Sequence, residues 1–347
     1  MLETLVDSWN ITDIARDWYE TENTGVMLKA LDSIENAATN NWKKFYSVDY
    51  SIYNTECWPS LIIQYRNASG IESYWDYTAH GAGRAGTGYI NDYSGNLVWV
   101  RSDLGFGGNR MPVSINHIYN ANSVTDTSLV DYGMGTGWRT NYNQRAYKPD
   151  GAIYYIWEDG DGTKHYFYPK TDGTGYIDED GLELTLKVDS SYVTITDKNG
   201  NTSYFNLSNG RLHKMENNQY IESDIDITYT SSSSYKIASI RDGVDRTYNF
   251  TYNSDGLLEK ITYVGKGSSE ISSVQYIYNG TNLYRVIDKD GKYSEFGYSG
   301  NYLTTATDVD GYCLEYTYNS RKQIASVREK QVKSDGSVVD GGRLLIT

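Results

Sequence analysis

Along the second half of the chain, aromatic residues occupy alternate positions in short runs: Phe250-Thr251-Tyr252, Tyr276-Ile277-Tyr278, Phe296-Gly297-Tyr298 and Tyr316-Thr317-Tyr318. Side chains alternate with period two on a strand, so both rings of each run share one face. Between the runs stand Asp-Gly or Asn-Gly dipeptides, at 242, 255, 279, 290 and 310 among others. These signal hairpin turns, because both residue types tolerate a positive φ. The pattern predicts short antiparallel strands joined by tight turns. In the first half, Ile11, Ile14, Ala15, Trp18 and Tyr19 follow helical spacing behind Asn10, which predicts a short capped helix over 10–19. Strands are expected over 26–30, 44–47 and 60–65.

A fixed step then organises the second half. Leu283 to Leu303, Asp288 to Asp308, Gly291 to Gly311 and Tyr298 to Tyr318 are all 20 residues apart. Such a period marks tandem units, each a hairpin that cannot bury its face alone. Tyr252, Tyr278, Tyr298 and Tyr318 are therefore expected in an interior shared between copies, with Gly291 and Gly311 in turns. The units read Asp-x-x-Gly, then Tyr-x-Tyr-Asn as at 276–279 and 316–319, then Gly-x-Leu. In this they resemble the RHS or YD-repeat family. The resemblance extends upstream through Gly95-Asn96-Leu97, Arg101-Ser102-Asp103-Leu104, Tyr119-Asn120 and Gly135-Thr136-Gly137-Trp138-Arg139, and so covers residues 68–347. It implies a spiral β-sheet shell, which in toxin-bearing members encloses a C-terminal toxin domain.

Residues 1–66 carry a second resemblance. Trp9, Thr12-Asp13-Ile14, Arg16-Asp17-Trp18, Gly25, Phe45-Tyr46-Ser47 and Trp58-Pro59 through Tyr65 are similar to the closing half of a DNRLRE domain. That implies a β-sandwich of secreted bacterial proteins, some relatives of which bind carbohydrate. The opening strands of such a sandwich would precede Met1, and Gly342 to Thr347 stops as if inside a strand, so a longer parent protein or a truncated reading frame is expected. The expected organisation is a partial sandwich over 1–66, a glycine-rich connector over 67–93, a β region that opens the shell over 94–235, and repeats over 236–347.

Composition supports an all-β chain. Tyrosine is counted 35 times against 6 Phe and 8 Trp, with 33 Gly and only 4 Pro. Lys plus Arg is 31 and Asp plus Glu 45, a net charge of −14, which would repel a phosphate backbone and disfavours nucleic acid. The N-terminus carries acids where a signal peptide needs a basic stretch. The longest apolar runs fall far short of the ~20 residues that cross a bilayer.

Candidate chemistry is sparse. Cys57 and Cys313 read as buried free thiols. Gly81-Ala82-Gly83-Arg84-Ala85-Gly86 has dinucleotide-binding spacing, but β-formers follow it where a helix should begin. It is read as a flexible connector. His80, His117, His165 and His213 are scattered and read as surface or strand residues. The pairs Asp159/Asp161, Asp178/Asp180, Asp288/Asp290 and Asp308/Asp310 sit in glycine turns; turn chemistry is the leading reading, ahead of a calcium clip or glycoside cleavage. No catalytic, cofactor-binding or metal-ligating residue is assigned. Trp42, Trp58, Tyr74 and Trp75 stand outside the repeat pattern and are the candidates for a sugar-binding face.

The function expected from the resemblance is structural and non-enzymatic: a fragment of a secreted or cell-wall protein whose shell encloses or displays a C-terminal effector. The rival is a carbohydrate-binding or adhesion module acting through the N-terminal sandwich. Its partners would be cell-wall or host polysaccharide, beside the remaining parts of the parent protein.

Overall fold

A computed structural model describes residues 69–347, apart from 109, 127–129, 179–180, 220–222, 266–268 and 347, together with 9, 11, 14, 25 and 26. Chain contacts divide the protein into Met1–Tyr65 and Arg66–Thr347. The expected helix, the three N-terminal strands, Cys57, Trp42 and Trp58 lie outside the described residues. All that follows concerns the second unit.

It is all-β, apart from 3₁₀ turns at Gly83–Ala85 and Ala121–Thr125. A first sheet is a five-stranded antiparallel meander: β1 (Tyr77–Gly81), β2 (Thr87–Asn91), β3 (Leu97–Gly105), β4 (Ser114–Asn120) and β5 (Trp138–Thr140). The second has nineteen strands, from Arg145–Tyr147 to Val338–Ile346, each paired antiparallel with its neighbours in sequence. This sheet curls. Seven strands after it starts, its first strand meets the hairpin at 210–212, through Ala146 N–H to Gly210 O at 2.8 Å and Leu212 N–H to Gln144 O at 3.4 Å.

The segment expected to be a connector, 67–93, holds β1 and β2 instead. Its glycines serve close packing: a Cβ on Gly86 (φ +118°) would lie 2.3 Å from Val100 O, and one on Gly88 2.4 Å from the Tyr316 hydroxyl. The 81–86 glycine motif is the hairpin loop between these strands, closed by Ala82 N–H to Gly86 O at 2.8 Å, with Ala82 and Ala85 fully buried. The change of sheet falls between Thr140 and Arg145, and the large sheet runs through 235 without a break.

The repeats fold as the spacing predicts, with one revision. In 288–291 and 308–311 only the glycine is left-handed, at φ +77° and +84°; the Asp beside it is not, so these are four-residue loops rather than two-residue turns. In 308–311 the leading Asp holds the loop, whereas in 288–291 Asp290 accepts the Lys292 amide and Asp288 turns to Arg84 and Arg101. Asp308 Oδ1 accepts the amides of Asp310 and Tyr312, and Gly311 N–H returns to Asp308 O at 3.1 Å. Here the carboxylate stands in for a ladder partner, which satisfies amides that the turn would otherwise leave bare.

The core lies between the two sheets and along the inner face of the large one. Leu212, Ile237, Leu258, Leu283 and Leu303, the aliphatic residue of successive repeats, are fully buried. Each contributes about 1.5–3 kcal/mol of burial, but only because the adjacent copy covers it.

Two turns test this account. A Cβ on Gly291 meets nothing within 4 Å, whereas one on Gly311 would lie 2.0 Å from Val332 O. Gly291→Ala should cost about 1 kcal/mol, the price of the left-handed backbone alone, and Gly311→Ala clearly more, as read by urea unfolding.

Candidate functional site

The feature that joins the repeats to one another and to the first sheet is a β-bulge, repeated. Where Tyr298 pairs with Leu303, the next step pairs Gly297 with Thr305, so Leu303 and Thr304 oppose a single step. The same shift occurs at Phe205/Leu212, Tyr229/Ile237, Tyr252/Leu258, Tyr278/Leu283 and Tyr318/Ile324. A bulge takes one residue out of the ladder, and its backbone groups need other partners.

At Leu212 and Leu303 both groups find them, and at the other bulges one of the two does. The carbonyl accepts from the tyrosine hydroxyl of the following hairpin: Tyr229 to Leu212 O at 2.6 Å, and Tyr252 to Ile237 O, Tyr298 to Leu283 O and Tyr318 to Leu303 O, each at 2.8 Å. The amide donates toward the opening part of the fold: Leu212 to Gln144 O, Leu258 to Gly133 O at 2.6 Å, Leu303 to the Tyr119 hydroxyl at 3.1 Å, and Ile324 to Gly95 O at 2.9 Å. The second tyrosine of each Tyr-x-Tyr and the Leu of Gly-x-Leu are thus two ends of one device. Tyr278 is the exception. It stands 20 residues after Leu258 (278 − 258), where Tyr252, Tyr298 and Tyr318 stand 15 and Tyr229 stands 17 after the residue each bonds, and its buried hydroxyl has no hydrogen-bond partner among the described residues.

A glycine-rich segment, Gly133-Met134-Gly135-Thr136-Gly137-Trp138, lies across these rings. Cβ atoms on Gly133, Gly135 and Gly137 would stand 2.8, 2.9 and 2.7 Å from ring carbons of Tyr252, Tyr278 and Tyr119. All three glycines have positive φ, so the backbone can rest on the rings. Trp138 Nε1 donates to the Tyr298 hydroxyl at 2.9 Å. Trp99 meets Phe296 and Tyr316 edge-on, and Phe106 stacks on Tyr263 at 4.1 Å.

Electrostatics closes the same seam. Asp103 and His117, from β3 and β4, have wholly buried side chains, with His117 Nδ1 3.2 Å from Asp103 Oδ2. Asp103 also pairs with Arg101 and accepts from the Tyr276 hydroxyl of the repeat wall. Arg101 reaches Asp288 at 2.6 Å, and Arg84 reaches Asp288 and Asp290 at 3.2 and 3.3 Å. Burial by itself would raise the Asp103 carboxyl, but the Arg101 guanidinium, then His117 and Tyr276, hold it below the usual range. Tyr276 is pushed well above the ordinary phenol value, first by burial and then by the Asp103 charge. A cleft of about 490 Å³ opens beside this network, lined by Arg84, Arg101, Asp103, Ser272 and Asp290 among others.

The second polar cluster fastens the strap at 69–76. Ile71 N–H donates to Asp161 Oδ2 at 2.7 Å and Ser69 Oγ to Gly162 O at 3.2 Å. Gly70 lies so close that a Cβ would sit 1.7 Å from Asp161 Oδ1. Burial, then the neighbouring Asp159 charge, pushes Asp161 up. For Asp159, burial is outweighed by His165 and by the Asp161 amide, which leaves it below the usual range.

Of the sequence candidates, Tyr74 is half exposed and Trp75 stacks on Tyr93 at 5.5 Å and 24°. Tyr93, 66% exposed, was not singled out, because its Tyr-Ser-Gly context reads as a turn. Tyr252, Tyr278, Tyr298 and Tyr318 pack partly buried against the core, and Cys313 is a buried thiol. His117 and His165, read as surface or strand residues, lie on strands (Ser114–Asn120 and Lys164–Pro169) and are buried, at 0% and 1% exposed. The Asp288/Asp290 pair binds Arg84 as well as shaping its turn. Asp178 caps the amides of Leu182 and Leu184, while Asp180 lies outside the described residues.

Comparison with known proteins adds the following. Residues 88–167, which include β3 to β5 and the Asp159 turn, match a family described as a domain of unknown function (DUF6531). No curated protein matches the chain. Among solved structures, TcdB2-TccC3 without its hypervariable C-terminal region is similar over 74% of this chain and 17% of its own, at 10% identity and a TM-score of 0.28. A porin-like protein from Bacteroides uniformis is similar over 71% of this chain and 94% of its own, at 15% identity and a TM-score of 0.25. The Photorhabdus luminescens Tc holotoxin pore carrying TccC3-D651A gives 9% identity over 70% of this chain and 16% of its own, with a TM-score of 0.22.

Two expectations follow from the geometry. Tyr298→Phe strips Leu283 O of its donor and Trp138 Nε1 of its acceptor, at about 1–3 kcal/mol for each buried group; Tyr278→Phe removes an unpartnered hydroxyl and should leave stability unchanged or higher, both read by denaturant unfolding. Asp103→Asn leaves Arg101 buried without its main counter-charge and should cost about 3–5 kcal/mol at pH 7. Because the folded carboxyl is depressed, its contribution is present above pH ~4 and lost as pH falls through the folded value. The variant should therefore show a shallower acid limb below pH 4.

Proposed function

We propose that this chain is a non-enzymatic wall segment of a secreted or cell-surface RHS-repeat protein, whose β-shell encloses or displays a C-terminal effector. One observation carries the reading: the bulge carbonyls of Leu212, Ile237, Leu283 and Leu303 accept from tyrosines of the following hairpin, and the bulge amides of Leu212, Leu258, Leu303 and Ile324 donate to residues between Gly95 and Gln144. Side chains and backbone are committed to wall-building, and the burial is collective. The RHS-type motifs in the sequence supply the identity of the wall, and the large antiparallel sheet is the kind of surface such a wall needs. Attachment of the protein to a cell wall and the nature of the effector belong to this proposal.

A second reading is favoured by one cluster. Tyr74, Trp75 and Tyr93 offer adjoining aromatic faces beside phenol hydroxyls, which suits a sugar ring. A glycan array probed with the full chain and with Trp75→Ala tests it.

The shell reading is tested in the parent reading frame. Its C-terminal segment, expressed together with this chain, should resist trypsin under conditions that digest the same segment expressed alone. Equal digestion rates would overturn enclosure, and a segment that neither co-purifies with the chain nor is covalently joined to it would overturn display.

A further inference from the structure

Glu72 and the pair Asp159 and His165 are 87 residues apart in sequence (159 − 72) and meet where the strap crosses the 159–165 turn. One oxygen or nitrogen from each lies within 4.8 Å of the other two. His165 Nε2 stands 3.5 Å from Glu72 Oε1 and 3.4 Å from Asp159 Oδ2, with side-chain exposures of 2%, 7% and 19%.

These separations discriminate between two arrangements. The hydrogen bond between His165 Nε2 and Asp159 Oδ2 is, at 3.4 Å, longer than the about 2.7–2.9 Å to which an imidazolium and a carboxylate close, and the Glu72 contact is longer still. Ligand atoms around a tetrahedral ion with bonds of about 2.0–2.1 Å stand about 3.4 Å apart along each edge. The two contacts have that length and share the nitrogen.

We propose that Glu72, Asp159 and His165 bind a divalent transition-metal ion of the zinc class. One imidazole with two carboxylates is a donor set for zinc and its first-row neighbours, whereas calcium takes six to eight oxygens. The turn prepares the ligand. Asp159 Oδ1 accepts the amides of Asp161, Gly162 and Thr163, which fixes the carboxylate with Oδ2 toward His165. Asp161 is already engaged, its oxygens bound by Ile71 and Thr163, so the fourth vertex goes to water. The partial exposure of Asp159 supplies the route from solvent. A bound ion would staple the strap to the first hairpins of the large sheet, and this holds whether or not the shell reading does.

The test uses the full chain, stripped with a chelator and titrated with zinc chloride. One zinc should be retained per chain after gel filtration, with a rise in Tm. Glu72→Gln and His165→Gln should each weaken binding by more than the ~100-fold that loss of an outer-sphere partner alone can cost. Cobalt(II) on the unaltered chain should give the intense visible absorption of a four-coordinate site, which needs no variant to fold. No retained zinc, retention unchanged in both variants, a weak six-coordinate cobalt spectrum, or displacement of zinc by equimolar calcium would each overturn the site.

Discussion

The fold depends on what happens to one backbone unit per repeat. A bulge opposite the second tyrosine of Tyr-x-Tyr removes the Leu or Ile amide and carbonyl from the ladder. Buried and unpaired, each would cost about 1–3 kcal/mol. Four of the six carbonyls are answered from the following hairpin by a tyrosine hydroxyl, and four of the six amides by Tyr119 or by loop carbonyls between Gly95 and Gln144. At Tyr229, Tyr252, Tyr298 and Tyr318 phenylalanine would not serve: the ring fills the interior and the hydroxyl reaches the bulge. The opening region is likewise no separable cap, since the repeats leave amides that it must satisfy.

The seam between the sheets has a polar as well as an aromatic character. A wholly apolar interface would slide at modest cost, whereas Asp103 is satisfied only where Arg101, His117 and Tyr276 converge. Pairing of this kind contributes little net stability against an apolar replacement, but a misplaced register leaves a buried charge bare. The network therefore fixes which repeat faces β3, while the aromatic packing supplies the adhesion. Glycines 133, 135 and 137 serve the same end by letting a backbone lie directly on tyrosine rings.

How far this was legible varies with sequence distance. The alternation at 296–298 and 316–318, the 20-residue step and the Asp-x-x-Gly loops are local, and each appears in the structure as a strand or a turn. The glycine-rich stretch before residue 93 misled, because glycine that permits flexibility and glycine that permits close approach look alike in one dimension. At Gly86 and Gly88 the distinction is made by Val100, Trp99 and Tyr316. The partners of the buried histidines were out of reach for a related reason. His117 meets Tyr276 and His165 meets Glu72 across 159 and 93 residues (276 − 117 and 165 − 72), with no spacing rule to join them.

The amino-acid order by itself determined the unit: a hairpin whose rings share a face, whose turn carries one left-handed glycine, and whose interior must be shared with a neighbour. Local sterics and the period of two are enough for that. Tertiary structure decided the rest: that the second sheet begins at Arg145, that a five-stranded sheet packs against it, and that particular amides, carboxylates and imidazoles meet across the seam. Those meetings depend on where a curled sheet brings distant strands, which follows from accumulated twist and bulges along many residues and is written in no single motif.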